Sequence, residues 1–118
     1  MSEGDLRQSL EKINSPRILV VGDLMLDHYS WGEVDRISPE APIPVMRVLR
    51  EDQRLGGAGN VVMNLAAFGA EVLVCGVTGK DETGKCIRKL LAENGVDHSG
   101  VIISENYKSC LKHRMIAG

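Results

Sequence analysis

Apolar and polar positions alternate in two rhythms along the chain. Leu6, Leu10 and Ile13 recur at helical spacing within residues 5–13 with charge between them, which predicts a short amphipathic helix closed by Asn14, Ser15 and Pro16. Residues 18–22 (ILVVG) are instead one continuous apolar run rich in β-branched side chains. That pattern predicts a strand buried on both faces, as in a parallel sheet covered by helices. Between residues 28 and 55 neither rhythm holds. Pro39, Pro42 and Pro44 exclude a helix there and disfavour a central strand. Residues 44–52 (PVMRVLRED) then alternate, as an exposed or edge strand does. Behind Gly56 and Gly57, residues 58–69 predict a helix ending at Gly69, a favourable C-terminal capping residue. A second buried strand follows at 71–77 (EVLVCGV), then a helix over 81–94 with Ile87, Leu90 and Leu91 on one side. Residues 101–104 (VIIS) predict a third strand, and residues 108–118 open a further extended segment.

This order is that of an open α/β sheet with a β-rich excursion after its first strand. Residues 114–118 carry no cap, turn or tail, so the chain reads as the front part of a longer domain. Its 118 residues suit one domain, and 43% hydrophobic content supports a core. Fourteen basic against sixteen acidic residues, a net charge of −2, give no compositional support for nucleic-acid binding through counterion release. Aromatics at 3% leave few platforms for stacking bases. No apolar run approaches the ~18–20 residues of a membrane span, and residues 1–14 lack the apolar centre of a secretory signal. Cys75, Cys86 and Cys110 form neither a paired set nor a CxxC. A cytoplasmic protein with no membrane or nucleic-acid partner is expected.

Three short patterns invite chemistry and fail on chemical grounds. Residues 79–85 fit GxxxxGK, the phosphate cradle of P-loop enzymes, but Cys86 stands where a hydroxyl should hold magnesium. Asp81 and Glu82 would also set negative charge beside the phosphates. The plainer reading is a helix opening capped by Asp81 or Thr83. Gly57-Ala58-Gly59 begins a dinucleotide fingerprint whose third glycine falls on Val62, and it does not follow the first buried strand. Cys110 and His113 lack a second ligand pair, so no metal site or Cys–His nucleophile is expected there, only incidental polar residues on a half-exposed strand.

Two stretches are more informative. Residues 22–27 (GDLMLD) lie just past the first buried strand, and ligands of open α/β sheets gather at strand carboxyl ends. Asp23 there suits a turn cap. Asp27 ends an otherwise apolar stretch, and an ionised carboxylate accepts hydrogen bonds from the hydroxyls of a polyol. Residues 56–60 (GGAGN) are the second stretch: paired glycines permit close backbone approach or a hinge. Asn60 in the next helical turn can donate and accept at once, with Asn64 on its face.

GGAGN, followed by Gly69 and Gly79, resembles the N-terminal signature of the ribokinase-type sugar kinases, and GVTGKDETG (76–84) resembles that family's G-x-x-G-x-D-x-x-G segment. The string at 20–45, DRISPEAPIPV (35–45) above all, is similar to the branch that phosphorylates heptose 7-phosphate in ADP-heptose synthesis. The resemblance runs from about Ile18 to the last residue. It implies a ribokinase-like open parallel sheet with helices on both faces and a small β-lid, incomplete in this chain. The implied body is about 16–27 and 56–106, with lid segments at about 28–55 and 107–118, all within one sugar-kinase domain.

The implied reaction is ATP-dependent phosphorylation of D-glycero-D-manno-heptose 7-phosphate at its anomeric hydroxyl, with Mg2+, on the route to lipopolysaccharide-core precursors. Asp27 and Asn60 would bind sugar hydroxyls, and Gly56 and Gly57 would form the hinge and close-approach backbone. Lys112 and Arg114, by charge and placement, would hold the substrate phosphate. Arg36 and Glu40 lie in the specific string without an assigned role. No catalytic residue is expected in this chain: the family's general-base aspartate and most of its ATP site lie in a C-terminal half, so these residues alone should not turn over. Lid strands would pair between chains in a homodimer. Another ribokinase-type sugar or nucleoside kinase, and a non-catalytic self-associating module, stay open as alternatives. Val62, where the signature prefers a small residue, departs from the pattern.

Overall fold

A computed structural model describes residues 1–118. The chain opens on α1 (Glu3–Lys12), whose reciprocal cap joins Ser2 and Asp5: the Asp5 N–H donates to Ser2 Oγ at 3.1 Å and the Ser2 N–H to Asp5 Oδ2 at 3.2 Å. The cap starts the helix, but nothing covers it. Leu6, Leu10 and Ile13 are all at least half exposed.

The remaining elements are β1 (Arg17–Val21), β2 (Leu24–Ile37), β3 (Pro44–Gly57), α2 (Ala58–Ala67), β4 (Glu71–Gly79), α3 (Glu82–Glu93), β5 (Asp97–Ser104) and β6 (Cys110–Ala117). They build two three-stranded sheets. The first has order β1-β4-β5 and is wholly parallel. Its register pairs Ile18 with Val72 and Val20 with Val74, on the face that α2 and α3 cover. Val62 of α2 and Ile87 and Leu91 of α3 close over Val72 and Val74, each of the five almost wholly buried. Burying one such side chain contributes about 1.5–3 kcal/mol. Gly69, at φ 90°, ends α2 where the sequence places its cap.

The first strand differs from its sequence pattern. Leu19 and Val21 are 59% and 72% exposed, because α2 and α3 both lie on one face and no helix of this chain covers the other. Strand alternation then leaves every second side chain of the apolar run in the open.

The second sheet has order β3-β2-β6. β2 and β3 form an antiparallel hairpin whose turn, residues 38–43, takes up the proline-rich string. β6 joins β2 from the other side in parallel. β2 starts at Leu24, ahead of residue 28, so residues 24–27 belong to this sheet. Leu24, Leu26 and Leu55 turn inward to the common core and root the sheet on the α/β body.

Candidate functional site

Strand alternation sorts the second sheet into two chemically distinct faces. Met25, Asp27, Tyr29 and Trp31 of β2 share one face. The register sets Asp27 between Arg54 of β3 and Lys112 of β6, Tyr29 between Asp52 and Arg114, and Trp31 between Arg50 and Ile116. Asp27, Lys112 and Arg114, chosen from two separate stretches of sequence, therefore stand on one surface. Arginine guanidinium groups lie over its aromatic rings: Arg50 is 4.1 Å from the Trp31 centroid, and Arg54 and Arg114 are 5.3 and 5.7 Å from that of Tyr29. Arg54 Nε donates to Asp52 Oδ2 at 2.7 Å, which holds its fork in place.

Asp27 is the unusual member. Its Oδ1 is buried and has no hydrogen-bond partner. Buried carboxylate oxygens are nearly always satisfied, so an orphan marks a place where a donor belongs. Gly56 makes the position available. A Cβ at residue 56 would lie 2.7 Å from Asp27 Oδ2 and 2.9 Å from its carboxyl carbon, so the carboxylate rests directly on glycine backbone. The close approach expected of Gly56 is thus to this chain's own Asp27. Gly57 has a different task. At φ 59° it takes a left-handed conformation, and a Cβ there would meet the Asp23 carbonyl oxygen at 2.5 Å. That same carbonyl accepts from the Ala58 N–H at 2.8 Å, which ties the turn after β1 to the start of α2. Asp23 acts here through its backbone.

Asn60 is the third residue of α2 and is exposed, on the side opposite buried Gly59 and Val62. No hydrogen bond joins it to Asp27. The signature thus brings Asn60 to the helix start just after Gly57, while Asp27 sits over Gly56.

The opposite face of the second sheet carries a cluster that the sequence presents as incidental. The His28 and His113 rings stack at 4.5 Å, and His113 Nε2 lies 2.8 Å from Ser30 Oγ, itself buried. Glu51 Oε1 lies 3.4 Å from His28 Nε2, outside hydrogen-bonding geometry. Nothing in a linear reading pairs residue 28 with residue 113; the parallel register does.

At the start of α3 the phosphate-cradle pattern is answered by the chain itself. Asp81 caps the helix, accepting from the Gly84 N–H at 2.7 Å through Oδ1 and from the Ser109 N–H at 3.0 Å through Oδ2. The Gly84 N–H, a helix-start donor a phosphate would need, is filled by a carboxylate. Hydrogen bonds from the Ser109 backbone and hydroxyl, then from the Gly84 backbone, hold the Asp81 carboxyl below its ordinary value of 3.8. Burial pushes the Cys86 thiol up, and its Sγ faces Gln53 Oε1 at 3.1 Å. An uncharged thiol there is neither a metal ligand nor a ready nucleophile.

Past the carboxyl end of β1, Gly22 and Asp23 line a cavity of about 500 Å³ with Cys75, Val77, Ile102 and Tyr107. It opens on the uncovered face of the parallel sheet. No three His, Cys, Asp or Glu side chains gather where they could hold a metal ion. No helix is long and apolar enough to cross a membrane.

A parallel sheet carrying a second, strand-built sheet with an unpartnered carboxylate defines a class, and comparison with known proteins identifies it. Residues 15–118 match the pfkB family carbohydrate kinases, and the chain belongs to that family. More particularly, it is 50% identical over 117 residues to the bifunctional protein HldE of Citrifermentans bemidjiense, covering 99% of this chain and 24% of that protein. It is 52% identical over 106 residues to the D-beta-D-heptose 7-phosphate kinase of Bordetella bronchiseptica, covering 90% of this chain and 34% of that one. The chain thus spans about a quarter to a third of the length of these relatives. Among solved structures, the fructokinase of Xylella fastidiosa with bound ATP superposes with a TM-score of 0.66 at 25% identity, over 86% of this chain and 30% of that one. The ribokinase-like fold expected from GGAGN and GVTGKDETG is the fold observed.

Proposed function

We propose that these residues form the sugar-phosphate-binding portion of a kinase that transfers the ATP γ-phosphoryl group to the anomeric hydroxyl of D-glycero-D-manno-heptose 7-phosphate. The observation that carries the reading is the orphaned Oδ1 of Asp27 on a face that also bears Lys112 and Arg114. A buried acceptor without a donor suits a sugar hydroxyl, and the flanking cations suit a phosphate. The heptose 7-phosphate kinase name of a relative at 52% identity points to the same substrate.

In this reading the second sheet is a lid over the sugar. Asp27 orients the hydroxyls, Asn60 reaches the ring from the start of α2, and Gly56 and Gly57 join lid to body. Lys112 and Arg114 hold the 7-phosphate. Phosphoryl transfer depends on positioning and charge stabilisation, so fixing the acceptor at both ends is this portion's contribution to rate. ATP, Mg2+ and the general base belong to the remainder of the domain. A cytoplasmic setting, where ATP is supplied, goes with the reading; the three cysteines are free thiols.

The test is a substrate panel on the complete domain with ATP. Heptose 7-phosphate should be phosphorylated at least a hundredfold more efficiently than unphosphorylated heptose, ribose or adenosine, and residues 1–118 alone should yield no bisphosphate. Equal use of an unphosphorylated sugar would remove the phosphate role of Lys112 and Arg114. Turnover by residues 1–118 would overturn the division of labour.

A further inference from the structure

We infer that Asp81 is a positioning residue: with Ser109 it fixes the register in which β6 joins β2, and so decides that Lys112 and Arg114, not Leu111 and His113, share a face with Asp27. The structural half stands by itself. Its consequence for substrate rests on the phosphate-binding reading above.

The register of β6 needs an external anchor. In a hairpin the turn sets the pairing, but β6 is parallel to β2 and starts 85 residues beyond its partner, Met25 with Cys110. Burial usually supplies the alternative, since a one-residue slip turns a buried side-chain set outward. Here it supplies little, because every residue of β6 after Cys110 is exposed. Inside the strand the one side-chain hydrogen bond to β2 is His113 with Ser30, at 2.8 Å, beside the His28–His113 stack and Arg114 over the Tyr29 ring. A slip by one residue would exchange Lys112 and Arg114 for Leu111 and His113 beside Asp27.

The second tie lies at the root. Ser109, the residue before β6, is 6% exposed. Its N–H donates to Asp81 Oδ2, and its hydroxyl accepts from the Gly79 N–H at 2.7 Å. The other Asp81 oxygen is held by the Gly84 N–H in the first turn of α3. The Asp81 carboxylate thus fastens the β6 root to the start of α3, and the Ser109 hydroxyl fastens it to the end of β4. The glycines on either side keep the space free: a Cβ at residue 79 would lie 2.5 Å from Asp81 Oδ2, and one at residue 84 would lie 2.9 Å from Ser109 Oγ. The spacing Gly79-x-Asp81-x-x-Gly84 is a clasp for a strand root. Lys112 and Arg114 follow three and five residues further on, about 10 and 17 Å of extended chain.

Amide hydrogen exchange on the full chain separates this role from a plain helix cap. Asp81→Ser keeps a capping hydroxyl but is too short to reach Ser109. The expected result is at least a tenfold loss of protection across residues 110–116, with the interior amides of α3 within twofold of wild type. Nuclear Overhauser contacts between residues 27 and 112 should weaken with it. Unchanged protection in β6, or equal losses in β6 and α3, would overturn the inference. Asp81→Asn, which keeps size and capping, gives the same comparison should the serine variant fray α3. In the complete kinase, KM for the sugar phosphate should rise at least tenfold while KM for ATP holds. Lost β6 protection with unchanged KM would leave the clasp standing and remove Lys112 and Arg114 from the phosphate.

Discussion

Asp27 and Gly56 show how one residue's chemistry depends on another's absence of side chain. The carboxylate lies against glycine backbone with one oxygen unpartnered, an arrangement that costs stability without ligand. Asp27→Asn should therefore leave the thermal midpoint of the chain unchanged or higher, while Asp27→Ala in the complete kinase should lower kcat/KM by at least a hundredfold with an unaltered circular dichroism spectrum. Near-normal turnover would remove Asp27 from the site. Gly56→Ala sets a methyl 2.7 Å from Oδ2 and pushes the carboxylate aside. Isothermal titration should show sugar-phosphate affinity at least tenfold weaker. Asp27 stands out in the sequence because a lone carboxylate closes an apolar run just past β1. Gly56 was legible as a close-approach site, but its partner was not, since only the β2–β3 register sets Leu26 against Leu55 and brings residue 27 over residue 56. Arg54 and the His28–His113 stack are the product of cross-strand pairing, which no local pattern announces.

Among the elements, those with a strong internal period were the readable ones. α2, α3, β4 and β5 follow from apolar spacing and glycine stops, and their ends agree with the sequence to within a few residues. β2 was not readable over its 14 residues: its inward face carries Leu24, Leu26, His28 and Ser30, a mixture that conceals a two-residue rhythm. Where the period is strong the packing is tight, and Leu91→Ala should cost about 2–5 kcal/mol in chemical denaturation. Acid should act on the turns and caps first. Asp5, Asp81 and Asp97 are each held below their ordinary value of 3.8, chiefly by hydrogen bonds from Ser2, Ser109 and Ser99 respectively. A depressed carboxyl contributes stability that is complete above its ordinary value and lost as pH falls through the depressed one. The midpoint temperature should hold from pH 6 to pH 5 and fall below about pH 4, with amide protection at Gly84 and Ser109 lost together.

As a whole molecule the chain is elongated. Its radius of gyration is 19.3 Å and its extents are 65 × 39 × 22 Å, against about 13 Å for a compact 100-residue domain. The long β2–β3 hairpin accounts for the shape, standing away from the body, and the chain buries only 17 of its 118 residues. Both outer strands of that sheet, β3 and β6, have an unpaired edge, and Val48, Leu49, Met115 and Ile116 are exposed on them. Such edges recruit further strands, which supports the proposal that lid strands pair between copies. Sedimentation should show a dimer at micromolar concentration that Leu49→Lys with Met115→Lys converts to monomer; a wild-type monomer at high concentration would end the proposal. The parallel partnership of β2 with β6 has one more consequence, in time. As the ribosome extends the chain, the β2–β3 hairpin is complete at Gly57, yet its third strand, β6, begins only at Cys110, after α2, β4, α3 and β5 have been made. The face that joins Asp27 to Lys112 and Arg114 is therefore the last thing this segment acquires during synthesis, and a nascent hairpin waits with one flank bare until then.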